Sequence, residues 1–170
     1  VRESSKKVVT TAGSQPLGTN DVTAVTNACE IADIWLNEAT DFPATSSSAP
    51  RAISRLDWID ETLPGWQATM EPLAAGLTSA ISRLLDEATS GDPSSQPPIP
   101  IEAIAGLLRS FIGSMIATQL GQAIGAISTT ATGAHDVALP LLSPARPLLI
   151  PENIEAWGAD TEIAKTEIYL

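Results

Sequence analysis

The sequence predicts a mainly α fold, a helical bundle around a buried Gly/Ala-rich central helix, and three observations carry the prediction. Apolar residues recur at three- and four-residue steps through long stretches of the chain. Residues 103–134 hold a single charge, Arg109, among Ile, Leu, Gly and Ala. Prolines cluster at 43–50, 89–100 and 140–151, where they break these patterns instead of running through them.

The first predicted helix covers Asp21 to Ala39. Val22, Val25, Cys29, Ala32 and Leu36 form one apolar stripe, and Thr19 or Asn20 is the expected cap. Cys29 lies on that stripe as a small buried hydrophobe, since no His or Lys within a turn would lower its pKa. PATSSSAP at 43–50 then reads as an exposed loop.

A second helix opens at Ser54, where Ser54 and Asp57 resemble a capping box. Pro64-Gly65 should interrupt it, with Trp58 and Trp66 clamping the bend. A longer helix follows from Trp66 to Ala88, either beginning near Glu71 or kinked at Pro72. The four tryptophans, at 35, 58, 66 and 157, are expected as core anchors. TSGDPSSQPPIP closes this half as a second loop, 89–100.

The central helix falls within 103–134. Gly121 and Gly125, with Ala117 a turn earlier, make a small-residue ridge against which another helix can pack closely. Ser110, Ser114, Thr118, Gln119 and Gln122 interrupt the apolar run, so burial inside a water-soluble bundle is expected over a membrane span. Prolines at 140, 144, 147 and 151 forbid a long helix, leaving short extended segments at Val137 to Leu142 and Leu148 to Ile150, as edge strands or a buried irregular crossing. A last helix could begin at Glu162, with Ile163, Tyr169 and Leu170 inward. Neither loop separates pieces able to fold alone, so 1–170 is one helical region, expected to be an incomplete N-terminal part of a larger protein.

The charge balance narrows function. Twenty acidic against nine basic residues give a net charge of -11, with no basic stripe for nucleic acid and no polybasic anchor for a membrane. Neither is expected as a partner. One cysteine allows no internal disulfide, and no segment has the order of a secretory signal, so a cytoplasmic setting is expected. The single histidine, His135, and Cys29 cannot alone build an ordinary zinc site. His135-Asp136 has no partnering G-x-S-x-G and reads as a turn. No Walker sequence or G-x-G-x-x-G occurs. Carboxylates group at Asp57, Asp60 and Glu61, at Asp86 and Glu87, and at Glu152 and Glu155, and are expected as solvated helix faces. No catalytic, cofactor-binding or metal-ligating residue is therefore assigned.

One resemblance adds to this reading. IADIWLNEATDFPA at 31–44, SRLDWIDETLPGWQATMEPLA at 54–74, SMIATQLGQAIGAIS at 114–128, DVALPLL at 136–142 and LLIPENIEAWG at 148–158 recur in the same order in a known family. They resemble the N-terminal part of actinobacterial zincin-like metallopeptidases or hydrolases, formerly a domain of unknown function loosely associated with coenzyme F420. In that family a segment resembling EIYL at 167–170 leads into a helix bearing the zinc ligands and general base, so no family ligand transfers onto this chain. The resemblance implies an α+β whole protein with zinc as its cofactor. Its metal site would lie beyond residue 170, and the missing C-terminal part would be this chain's partner. A second expectation is self-association, through apolar surface at Val137 to Ile150 and at the helix ending at Leu170. The other reading of the chain is an autonomous helical interaction module.

Overall fold

The computed structural model describes residues 1–41, 49–89, 101–163 and 167–169. Nearly all of the loops expected at 43–50 and 89–100 lies outside these residues, as does Leu170. Five helices and one two-stranded parallel pair make up the described elements, in the order α1 (Arg2–Ala12), α2 (Thr19–Ala39), β1 (Arg51–Ala52), α3 (Arg55–Thr89), α4 (Ile101–Ser128), β2 (Leu148–Leu149) and α5 (Pro151–Gly158). The fold is mainly α, as the periodicity predicts.

The glycine ridge on α4 finds its partner in α1, a largely polar helix that turns the narrow stripe of Val1, Ser5, Val8 and Val9 inward. A methyl group on Gly121 would lie 2.6 Å from the Val1 carbonyl and from Ser4 Cβ, and one on Gly125 would lie 2.6 Å from the Ser5 carbonyl. The small residues thus bring two backbones together. Ser5 and Val9 are buried at this contact, and the Ser5 hydroxyl donates back to the Val1 carbonyl at 3.1 Å.

Ser54 and Asp57 do cap α3. The Asp57 amide donates to Ser54 Oγ at 3.1 Å, and the Ser54 amide donates to Asp57 Oδ2 at 3.3 Å. The expected break at Pro64-Gly65 does not occur: α3 runs on through both Pro64 and Pro72. Gly65 serves close packing instead, because the Leu141 main chain lies against it with no room for a side chain. Trp58 and Trp66 are buried, but along one helix; Trp58 Nε1 donates to the Gly133 carbonyl at 2.8 Å.

That bond joins α3 to an irregular crossing built from 131–134, β2 and β1. Arg51 is opposite Leu148 and Ala52 opposite Leu149, and Gly133 bridges Leu149 from the other side. Asn153 at the start of α5 completes the crossing. Its Nδ2 donates to the Ser128 and Ala131 carbonyls at 2.9 and 2.6 Å, which closes the end of α4. The core packs Ile53, Trp58, Ile59 and Trp66 of the β1–α3 half against Val9, Ile124, Leu141, Leu148 and Ile150.

Several expectations are corrected by this packing. Only Leu148 to Ile150 contains a strand; Val137 to Leu142 forms turns and bends, and Leu141 is buried in the core. The 137–150 segment therefore supplies core and is not the exposed apolar face. The described parts of 162–170 hold turns, with Ile163 exposed, in place of a last helix; the helix here is α5, admitted by Pro151 at its first turn. Trp35 and Trp157 are 55% and 70% exposed, so two of the four tryptophans anchor nothing in the core. On α2, Val25 and Ala28 are the buried pair, whereas Val22 and Leu36 face solvent. Gly18 is its cap, with its amide held by Asp21 Oδ2 at 2.8 Å. The central helix is buried only in its second half, since Leu107 and Phe111 are exposed.

The carboxylate groups are also more than solvated faces. Asp60 lies 2.7 Å from Lys6 and 3.2 Å from Arg2, tying α3 to α1. Glu61 holds Arg51 at 3.0 Å and also Arg146, tying α3 to the two ends of the crossing. All are partly exposed, so each contributes at most about 1 kcal/mol and mainly fixes geometry.

Candidate functional site

A cleft of about 400 Å³ opens where the α1–α2 connection, the start of α3 and the start of α5 meet. Gln15, Pro16, Leu17 and Asp21 form one wall, Ile53, Ser54 and Arg55 the second, and Pro151, Glu152, Glu155 and Ala156 the third. It is within the size range of small-molecule sites, and its walls mix apolar side chains with charge.

Arg55 organises it. The guanidinium, with only 13% of its side chain exposed, donates from Nη1 to Glu152 Oε1 at 2.8 Å and to the Gly13 carbonyl at 3.0 Å. Its Nε donates to Asn153 Oδ1 at 2.7 Å, so the residue that closes the end of α4 also orients the charge in the cleft. The other Glu152 oxygen accepts from the Gln15 amide at 3.3 Å and the Ser14 hydroxyl at 3.4 Å. Glu152 is thereby held both by α3 and by the α1–α2 connection.

Glu155 accepts from the Tyr169 hydroxyl at 3.2 Å. Burial, then the charge and hydrogen bond of Glu155, then the charge of Asp21, push the Tyr169 phenol well above its usual range. The phenol remains a neutral donor under all ordinary conditions. Three carboxylates and one guanidinium line the cleft and leave it net negative, which disfavours phosphate or carboxylate ligands. No imidazole or thiol lines it, and its one lining serine, Ser54, donates to Asp57 Oδ2 at 2.7 Å within the cap of α3.

Sequence grouping placed Glu152 and Glu155 together but gave no sign of Arg55, Asp21 or Tyr169 beside them. Asp21 and Arg55 lie 131 and 97 positions before Glu152, and Tyr169 lies 14 after Glu155, so no helical spacing encodes their meeting. His135 and Asp136 are the turn residues expected, pointing to different partners. Asp136 Oδ2 accepts from the Thr132 amide at 2.7 Å, while His135 Nε2 is 3.0 Å from the Arg146 carbonyl. Cys29 is half-buried, and burial followed by the charge of Asp33 raises its thiol pKa. Among the described residues no three His, Cys, Asp or Glu side chains are grouped to hold a metal ion. Among them too, no helix is long and apolar enough to cross a membrane.

A family model described as zincin-like metallopeptidase matches residues 1–170. No curated protein and no solved structure matches the chain.

Proposed function

The chain belongs to the zincin-like metallopeptidase family, and we propose that these residues form its noncatalytic N-terminal scaffold, with the metal site supplied beyond residue 170. The family implies zinc in related proteins, but the donors present do not fit it. The one imidazole is engaged by a main-chain carbonyl, and the one thiol is held protonated on α2. That poverty of donors in a chain matched from end to end is the observation that carries the reading. No catalytic step is derived from these residues. Their contribution is a rigid crossing, braced by Asn153 and the ion pairs of Glu61, against which further chain can fold. The free thiol fits a reducing, cytoplasmic setting. The actinobacterial origin and the loose coenzyme F420 association are carried by the sequence resemblance.

Zinc titration by calorimetry, with bound metal counted after gel filtration, tests this. The expected result is no tight stoichiometric binding by residues 1–170. One zinc held per chain through dialysis would overturn the scaffold reading.

The other reading, a helical interaction module, is favoured by a different observation: Ile34, Trp35, Leu73 and Phe111 are all largely exposed on helices. A module of this kind would also bind no zinc, and is distinguished by whether its exposed faces bind a partner.

A further inference from the structure

The second half of α3 and the first half of α4 leave the core. Every α3 residue from Glu71 to Ala80 is exposed, as is every α4 residue from 106 to 111, yet the two helices pack on each other. Trp58, near the start of α3, bonds Gly133, just past the end of α4, so the two run antiparallel. Together they make an arm whose α3 strut, from 71 to 89, is about 28 Å long.

The exposed apolar residues of the α3 strut fall on one stripe, while α4 is apolar on most sides, with Leu107 and Ile116 exposed beside its stripe. Leu73, Leu77 and Leu84 share one stripe of α3, and Leu108, Phe111 and Met115 share one stripe of α4, all of them exposed. Ile81 and Ile112 are half-buried beside these exposed stretches, as residues on the sides nearest the neighbouring helix would be. At about 100° per residue, the α3 stripe is displaced about 60° from Ile81 and the α4 stripe about 70° from Ile112, both in the same rotational sense. In an antiparallel pair, equal senses bring both stripes onto one face of the hairpin.

Area and charge say what covers that face. With Leu73 66% and Phe111 67% exposed, the six side chains leave on the order of 600 Å² in water. Doubled by a second copy, this is about 1,200 Å², the lower edge of stable specific interfaces. The whole chain carries -11, so two copies repel over most of their surfaces. The arm carries little of this charge, since across 71–89 and 101–128 Arg83 and Arg109 stand against Glu71, Asp86, Glu87 and Glu102, a net of -2. We propose that this face pairs with the same face of a second copy, two α3–α4 hairpins closing into a four-helix bundle about a two-fold axis. The proposal does not depend on the zinc reading, and either can fail alone.

Light scattering and sedimentation on the 170-residue chain, across a dilution series in the micromolar range, test it. The expected mass at the upper end is twice that of one chain. L77E/F111E should be monomeric throughout with an unchanged helical circular dichroism spectrum, and the milder pair L73Q/L84Q should weaken the dimer at least tenfold. W157E, changed at an exposed site outside the arm, should leave the dimer intact. A wild-type chain that is monomeric across the series would overturn the proposal. So would an assembly that survives both arm pairs, or one lost in W35E and not in them.

Discussion

Gly65 of α3 lies directly against the main chain of Leu141, so close that a side chain at 65 would occupy the space of the Leu141 carbonyl. The contact sets the distance between α3 and the 137–142 segment, and it explains why glycine is kept in a helix interior where it costs about 1 kcal/mol relative to alanine. Gly65→Ala should therefore destabilise the fold, by about 2 kcal/mol or more, because the clash is with backbone that cannot rotate away. Denaturant unfolding followed by Trp58 and Trp66 fluorescence measures this. An unchanged midpoint would remove Gly65 as the spacer.

Gly125 predicts a similar loss at a different joint. Alanine there meets the Ser5 carbonyl at 2.6 Å and should loosen α1 from α4, costing about 1–3 kcal/mol. Gly113, on the same helix with open space around it, is the control. Gly113→Ala should be neutral or stabilise by up to about 1 kcal/mol through helix propensity alone. Equal effects at the two positions would mean that close packing is not what Gly125 provides.

Asn153 joins three elements through one amide: two carbonyls at the end of α4 and the Arg55 guanidinium. Asn153→Leu leaves two buried acceptors unpaired and frees Arg55, so a loss of about 3 kcal/mol is expected. Asn153→Asp keeps the link to Arg55 but cannot donate to the Ser128 and Ala131 carbonyls, and should also lose stability. If aspartate is tolerated at neutral pH, the two carbonyl bonds contribute little.

Cys29 gives a prediction in pH. Burial, then Asp33, hold its thiol pKa above the ordinary value. The native state therefore binds this proton more tightly than the unfolded chain. The resulting stability is fully present below the ordinary thiol pKa and is lost as pH rises through the raised one. Alkylation by iodoacetamide should be slower than for an unfolded-chain cysteine, with its pH midpoint displaced upward. Asp33→Asn should bring the midpoint partly back. A midpoint at the free-thiol value would contradict the burial seen here.

Much of the fold is legible in the order of residues because helices are local objects. The extent of α2 up to Ala39, the Ser54–Asp57 cap of α3, the glycine ridge of α4 and the turn at His135-Asp136 each depend on neighbours within a turn or two, and each is found where the pattern puts it, though not the buried face of α2. What tertiary structure alone decided is which surfaces meet. The ridge at Gly121 and Gly125 announces a close partner but not that it is the polar helix α1, whose backbone, more than its side chains, fills the contact. Pro64-Gly65 reads locally as a break, yet helix α3 continues through it, with Gly65 packed directly against the Leu141 main chain. An apolar stripe looks the same in sequence whether it is covered or bare, so Trp58 and Trp157, or the two halves of α4, separate only once the chain is folded. The Arg55, Glu152, Glu155 and Tyr169 cluster is the extreme case: its members are drawn from distant positions by the crossing at β1 and β2, and charge has no periodicity that could reveal the meeting.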